Sequence, residues 1–216
     1  MAKKIRDIWG LYLVIPFFLA GAAGFFLFKK GEVELIVNHH FTAGADLFFR
    51  MATWGGNGVV FAALLIFFLF YRYYFSLLTL LVIILQTLVV QALKLVVFPG
   101  MERPALFFSK VPGIHYVEGV KMNMLHSFPS GHAATAFSVA TLLFLACKNR
   151  KLSFAWYGSA IVIAFSRVYL LQHFFIDIFS GAAIGIIVTF SAWYFLERIP
   201  FGNKDQLEKS LRSVFH

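Results

Sequence analysis

Charge is what this chain has least of. Of 216 residues only 13% are Asp, Glu, Lys or Arg, whereas 60% are hydrophobic and 28 are phenylalanine. Soluble domains run to about half apolar and roughly a quarter charged residues, so a soluble globular domain is excluded. Thiol is nearly absent too. Cys147 stands alone, which rules out an intramolecular disulfide and a multi-thiolate metal site; it reads as a small apolar residue near a helix end. A basic stripe is also missing. The net charge is +9, yet the cations sit at the ends of apolar runs, as membrane-topology signals do. No nucleic-acid partner is expected.

What remains is a succession of apolar runs, each close to the roughly 20 residues that cross a bilayer. Trp9 to Phe28 is the first, with Trp9 and Tyr12 as interfacial aromatics and Pro16 inside it. Lys3, Lys4 and Arg6 ahead of it, and Ala20-Gly21-Ala22-Ala23 within it, resemble a signal peptide, but the run is read as a retained helix. Residues 29–57 are more polar, with an amphipathic stretch near Leu47-Phe48-Phe49 and a helix-breaking Gly55-Gly56-Asn57-Gly58. Val59 to Phe98 is too long for one crossing: a single helix would measure about 60 Å, twice the hydrocarbon core. It must fold back at Tyr71-Arg72-Tyr73-Tyr74, giving spans near 58–72 and 75–98. After an irregular segment at 99–129, further spans are expected at about 130–146, 152–171 and 177–196.

The fold class expected is therefore all-α: a single membrane domain over residues 1–216, six transmembrane helices in one bundle, with a polar tail at 197–216. Six spans put both termini on one side. With that side cytoplasmic, eleven Lys and Arg lie inside, against five outside once Lys94, Arg103 and Arg167 are set apart. The positive-inside rule favours that orientation. It makes the tail cytoplasmic and brings the 99–129 segment, Pro129–His132 and the Arg167–Asp177 stretch to the opposite face.

Polar groups in such a chain are costly unless they have partners or work. Pro129-Ser130-Gly131-His132 opens the fourth span. Serine is a preferred helix cap and proline suits the first helical positions, and a helix N-terminus is a ready anion site. Capping explains Pro and Ser well, and Gly-His poorly. His173 and Asp177 are four apart, the spacing of one helical face; a carboxylate on one ring nitrogen makes the other a better nucleophile or base. Arg167, six residues before His173, would point elsewhere on one straight helix, so Gln172-His173 is expected to be a turn. Lys94, Arg103 and Arg167 suit a tetrahedral dianion, guanidinium groups by forked bonds and lysine as a point charge. For Lys94 alone, snorkelling to lipid headgroups is a fair alternative. His39-His40 point apart on a helix and make a poor metal site. His115 and His126 receive no role, although His126 is near His132 in sequence.

Together these residues match a family. Lys94 with Arg103-Pro104, Pro129-Ser130-Gly131-His132, and Ser166-Arg167 followed by His173 and Asp177 resemble the three-part signature of the type 2 phosphatidic acid phosphatase (PAP2) superfamily, with a motif core at 94–177. Ser127-Phe128 and Gly181 also fit. The first motif departs from the pattern: eight residues separate Lys94 from Arg103 where the family usually has six, and the expected position is occupied by Val96. The resemblance implies a two-step reaction without metal or other cofactor. His173 would attack phosphorus to form a phosphohistidine, Asp177 would orient it, and His132 would protonate the leaving oxygen and then activate water. Lys94, Arg103, Arg167, Ser130 and the backbone of Gly131 would hold the phosphoryl oxygens.

The function expected is hydrolysis of a lipid phosphate or pyrophosphate at the periplasmic face of a bacterial inner membrane. Candidate substrates are undecaprenyl pyrophosphate, phosphatidylglycerophosphate, phosphatidate and a lipid A phosphate, with membrane lipids as the surrounding partners. Two alternatives stay open: a phosphotransferase that passes the phosphoryl group to a lipid hydroxyl, and a non-enzymatic anion or lipid transporter lined by the same charges.

Overall fold

The structure is a computed structural model that describes residues 11–147, 149–199 and 209–211. The basic N-tail with Trp9, Lys148, and most of the polar C-tail lie outside the described residues. Among the described residues every regular element is helical. In chain order these are α1 (Leu11–Leu27), α2 (Glu32–His39), α3 (Ala43–Ala52), a 3₁₀ turn (Thr53–Gly56), α4 (Gly58–Tyr71) and α5 (Tyr73–Ala92). A π-helical turn (Leu93–Val97) continues α5, and α6 (Pro104–Phe107), α7 (Gly131–Ala146), α8 (Arg150–Tyr169) and α9 (Phe175–Arg198) follow.

Each expected apolar run is helical, and the breaks have local causes. Arg72 takes an extended backbone, φ −159° and ψ 130°, and turns α4 into α5. Asn57 caps α4 through its side chain, and Asn149 caps α8 the same way. Among the described residues two helices are long and apolar enough to cross a membrane outright, Tyr73–Val97 and Phe175–Arg198. The number rises to four if two bent pairs, broken by 107° and 53°, each count as one span. Helix α7 falls short because it is a different kind of helix. Its 16 residues measure roughly 24 Å, and its alanines, serines and threonines face protein and not lipid.

That central position organises the bundle. Helix α7 packs chiefly on α9 and α8 and also touches α4 and α5. Backbones come close where side chains vanish: a Cβ at Gly181 would collide with the Ser130 carbonyl, and one at Gly185 with the Ala134 carbonyl. Small residues at helix contacts are how membrane bundles pack. Several polar side chains in this interior are paired. Ser138 Oγ donates to Gln86 Oε1 at 2.7 Å, and Gln86 Nε2 donates to Thr135 Oγ1 at 3.2 Å. One apolar cluster joins α1, α7, α8 and α9, including Phe137, Tyr157 and Phe179. A second joins α4, α5, α7 and α9, including Phe68, Leu78 and Leu142. The outside is greasy, with Phe26 84% and Val96 76% exposed, as expected of a surface that lipid covers.

The 98–130 connection folds back on itself. Arg103 N donates to Met124 O and Ser127 N to Met101 O, so the start and end of the segment run side by side over the mouth of the bundle. Its middle is held from the side. Asn38 makes two bonds to the His115 backbone, while Asp46 accepts from Tyr169 and bonds the His115 ring at 2.8 Å.

Candidate active site

His173 and Asp177 meet by a route other than a shared helical face. Helix α8 ends at Tyr169 and α9 begins at Phe175, so His173 lies in the turn between them. Asp177 caps the new helix, accepting from Phe174 N at 2.9 Å. The same oxygen, Oδ2, accepts from Ser127 Oγ at 2.5 Å and faces His173 Nδ1 at 3.3 Å. On the other side of the ring, Arg103 Nη1 lies 3.3 Å from Nε2. A carboxylate only accepts and a guanidinium only donates. Nδ1 therefore carries the proton, and Nε2 presents its lone pair to the cationic side.

The imidazole is 2% exposed. Burial first, then the charges of Arg103, Arg167, Lys94 and His132, push it well below the ordinary histidine value. It is neutral at physiological pH. Arg103 touches the ring directly, and Arg167 reaches the side chain of Gln172, the residue before His173.

Arg103 is aimed by its neighbours. Nε donates to Leu125 O at 2.8 Å, Nη1 to Gln172 O at 2.9 Å and Nη2 to His126 O at 3.3 Å. Lys94 Nζ donates to that same His126 carbonyl at 3.0 Å. The longer first motif thus still sets its two cations side by side. The π turn and the bend at Gly100, φ 72°, take up the extra chain. His126 returns the contact, its Nδ1 lying 3.3 Å from Lys94 O.

Ser130 is the N-cap of α7, accepting from Ala133 N at 3.4 Å, and its own N–H donates to Asp177 O. Pro129 precedes the cap and does not sit in the first helical turn as expected, because the cap itself falls on Ser130. Gly131 and His132 form the first turn, where backbone N–H groups lack intrahelical partners. Gly56 of the 3₁₀ turn packs on His132: a Cβ there would come within 2.8 Å of the histidine Cβ. Arg167, on α8, donates from Nη1 to Thr53 Oγ1 at 2.6 Å and from Nη2 to Gln172 Oε1 at 3.3 Å. All eight expected site residues therefore belong to one end of the bundle.

A family model, the PAP2 superfamily, matches residues 75–200, more than half of the chain. The chain belongs to the PAP2 superfamily. Among solved structures it is similar to Aquifex aeolicus LpxE, with 30% identity and a TM-score of 0.68 over 78% of this chain and 97% of that one. The transmembrane PAP2-type phosphatidylglycerolphosphate phosphatase of Bacillus subtilis has a similar fold, with a TM-score of 0.63 and 23% identity over 90% of this chain and 98% of that chain. Curated relatives match over shorter stretches. A lipid A 1-phosphatase of Porphyromonas gingivalis is 43% identical over 65 residues, which is 29% of this chain and 15% of that protein. A putative undecaprenyl-diphosphatase of Escherichia coli, YbjG, is 41% identical over 87 residues, 36% of this chain and 41% of its own length. The matched part thus spans less than half of either curated relative. With an apolar exterior and membrane relatives, this PAP2 protein is an integral membrane protein.

Several residues that touch the candidate site were not legible in the sequence. Thr53 and Gly56 come from the N-terminal segment, ahead of the matched residues, and no spacing connects them to a motif. Gln172 was visible only as a polar residue beside His173 in a run of leucines and phenylalanines. Glu34, 2% exposed, accepts from Phe175 N at 2.6 Å, adding a second carboxyl group to the N-terminus of α9. Its scarcity was the clue: few acids are present, and this one is buried. The adjacent histidines of α2 remain outside the site, His40 turning its Nδ1 to Ile36 O. Among the described residues no three His, Cys, Asp or Glu side chains are grouped to hold a metal ion.

Proposed function

We propose that the protein is a membrane lipid phosphatase that releases phosphate through a phosphohistidine on His173. One observation carries the reading: a buried imidazole has Nδ1 on the Asp177 carboxylate and Nε2 facing the Arg103 guanidinium. Histidine in that state is a nucleophile with its target held in front of it. Phosphoryl transfer demands mainly positioning and stabilisation of charge on the phosphoryl oxygens, and Lys94, Arg103 and Arg167 supply it, with the α7 N-terminus at Ser130 and Gly131.

In the first step Arg103 shifts its contact from Nε2 to the arriving phosphate. Nε2 attacks phosphorus and the P–O bond to the lipid breaks; His132, charged by a proton taken from the arriving phosphate monoanion, returns that proton to the leaving oxygen. The Nδ1 proton stays shared with Asp177, which balances the positive charge on the ring. In the second step His132 takes a proton from water as its oxygen attacks, the P–N bond breaks, and inorganic phosphate leaves. Every step uses side chains of this chain, and we infer that no metal takes part.

The domain is one unit over 1–216. We further propose six spans, in α1, α4, α5, α7, α8 and α9, with the site at the periplasmic face of a bacterial inner membrane, where a lipid phosphate lies at headgroup depth. The relatives, a lipid A 1-phosphatase and a putative undecaprenyl-diphosphatase, suggest the substrate class to try first. The test is phosphate release by the purified protein from lipid A 1-phosphate, undecaprenyl pyrophosphate, phosphatidylglycerophosphate and phosphatidate, each with and without EDTA. Release from at least one, unchanged by EDTA, is expected. Release from none contradicts the function, and loss that magnesium restores contradicts metal independence.

A further inference from the structure

A buried arginine is normally matched by a carboxylate, because an unpaired buried charge is costly. Arg167 is only 7% exposed, and no ion pair of Arg167 with a carboxylate occurs among the described residues. Its partners are neutral. Thr53 Oγ1 holds Nη1, Gln172 Oε1 holds Nη2, and Nε is buried with no hydrogen-bond partner.

We propose that Thr53 and Gln172 are positioning residues, a fork of two neutral acceptors that aims Arg167 at the phosphate while leaving its charge uncompensated. The inference rests on the reading that this site binds a phosphate. Hydrogen bonds to neutral oxygens fix the plane of a guanidinium; a carboxylate in the same place would also cancel its charge and compete with the substrate. The identity of residue 172 follows from both of its ends. Oε1 must accept from Arg167, while Nε2 donates to Lys121 O and Met122 Sδ, each at 3.2 Å. Glutamine satisfies both; glutamate would set an oxygen against the Lys121 carbonyl. Gln172 also gives its backbone oxygen to Arg103, so one residue touches both arginines. Thr53 belongs to the turn whose Gly56 packs on His132. The 3₁₀ turn ahead of the family-matched residues is thereby part of the site.

The test uses the full-length protein in detergent with orthovanadate as the probe, its affinity read from thermal shift so that no turnover is needed. Gln172→Glu and the near-isosteric Thr53→Val are made alone and with Arg167→Gln. Each single variant is expected to weaken vanadate at least tenfold, and to raise KM for a hydrolysed lipid phosphate more than it lowers kcat. With Arg167→Gln present, each should change vanadate affinity less than twofold, because the residue through which it acts is gone. Unchanged vanadate affinity in both folded single variants overturns the proposal, and so does an equal loss with and without Arg167. If Gln172→Glu does not fold, Thr53→Val decides by the same criteria. A wild-type protein that binds vanadate with this pattern but hydrolyses no lipid phosphate sustains the fork and defeats the phosphatase reading. A wild-type protein that binds no vanadate overturns the fork.

Discussion

At Asp177 a single carboxylate oxygen receives Ser127 Oγ, Phe174 N and the His173 ring. It caps a helix and sets a tautomer at once. Ser127→Ala removes the shortest of these contacts; hydrogen bonds to charged groups are worth about 1.5–3 kcal/mol, so kcat/KM should fall roughly 10- to 100-fold while the protein stays folded, as steady-state kinetics will read. The protonation of His173 gives a second prediction. Its value lies well below the ordinary 6.5 of histidine, so the nucleophile stays unprotonated as pH falls past 6.5, and the acid limb of kcat/KM due to this group should lie below that pH. Stability follows the same sign. Between the depressed native value and the ordinary one the unfolded chain binds more protons, so stability rises with pH through that window and is level above it. A pH–rate profile with its acid limb above 6.5 would contradict the assignment.

Among the elements, the α7–α9 contact holds the site together, because Ser130 lies on one helix and Asp177 on the other. Gly181→Ala sets a methyl against the Ser130 carbonyl, backbone that cannot swing aside. Overpacking of this kind costs about 1–3 kcal/mol, and activity should fall with the melting temperature because the cap that meets Asp177 moves. Gly158→Ala on α8 meets nothing within 4 Å and should leave the protein as stable or raise it by up to about 1 kcal/mol. Thermal melts of both variants in detergent check the pair. The helices themselves were legible because apolar runs and their interruptions at Tyr71-Arg72 and Gly55–Gly58 are properties of composition. The caps were less so. His173 and Asp177 have the spacing of a helical pair, yet the pairing arises from a turn and a cap, since the chain reverses at Leu171, φ 51°, before α9 starts. The two extra residues of the first motif were expected to bulge at Pro99-Gly100; the chain does bend at Gly100, but the π turn after Ala92 was hidden.

For the molecule as a whole, motif spacing singled out eight residues that the fold gathers at one end of the bundle, because they lie in one stretch of sequence, 94–177. It could not locate Thr53 or Gly56, which reach the site only through the packing of α3 and the 3₁₀ turn on α8 and α7. The proposed orientation has a direct check in the lone thiol. Cys147 ends α7 on the side opposite His132, whereas Ser109 is exposed in the connection beside the site. In intact cells a membrane-impermeant maleimide should label Ser109→Cys, made in a Cys147→Ala background, and leave native Cys147 untouched; the reverse pattern would invert the topology. The central claim is covalent chemistry at His173, and trapping tests it most directly. The purified protein is given a ³²P-labelled lipid phosphate that it hydrolyses, quenched in alkali and digested. Label on a His173 peptide, stable to alkali and labile to acid, is expected in wild type and in His132→Ala, where attack by water is slowed, and none in His173→Ala. Undiminished phosphate release by His173→Ala, or label that persists in it, would contradict the account.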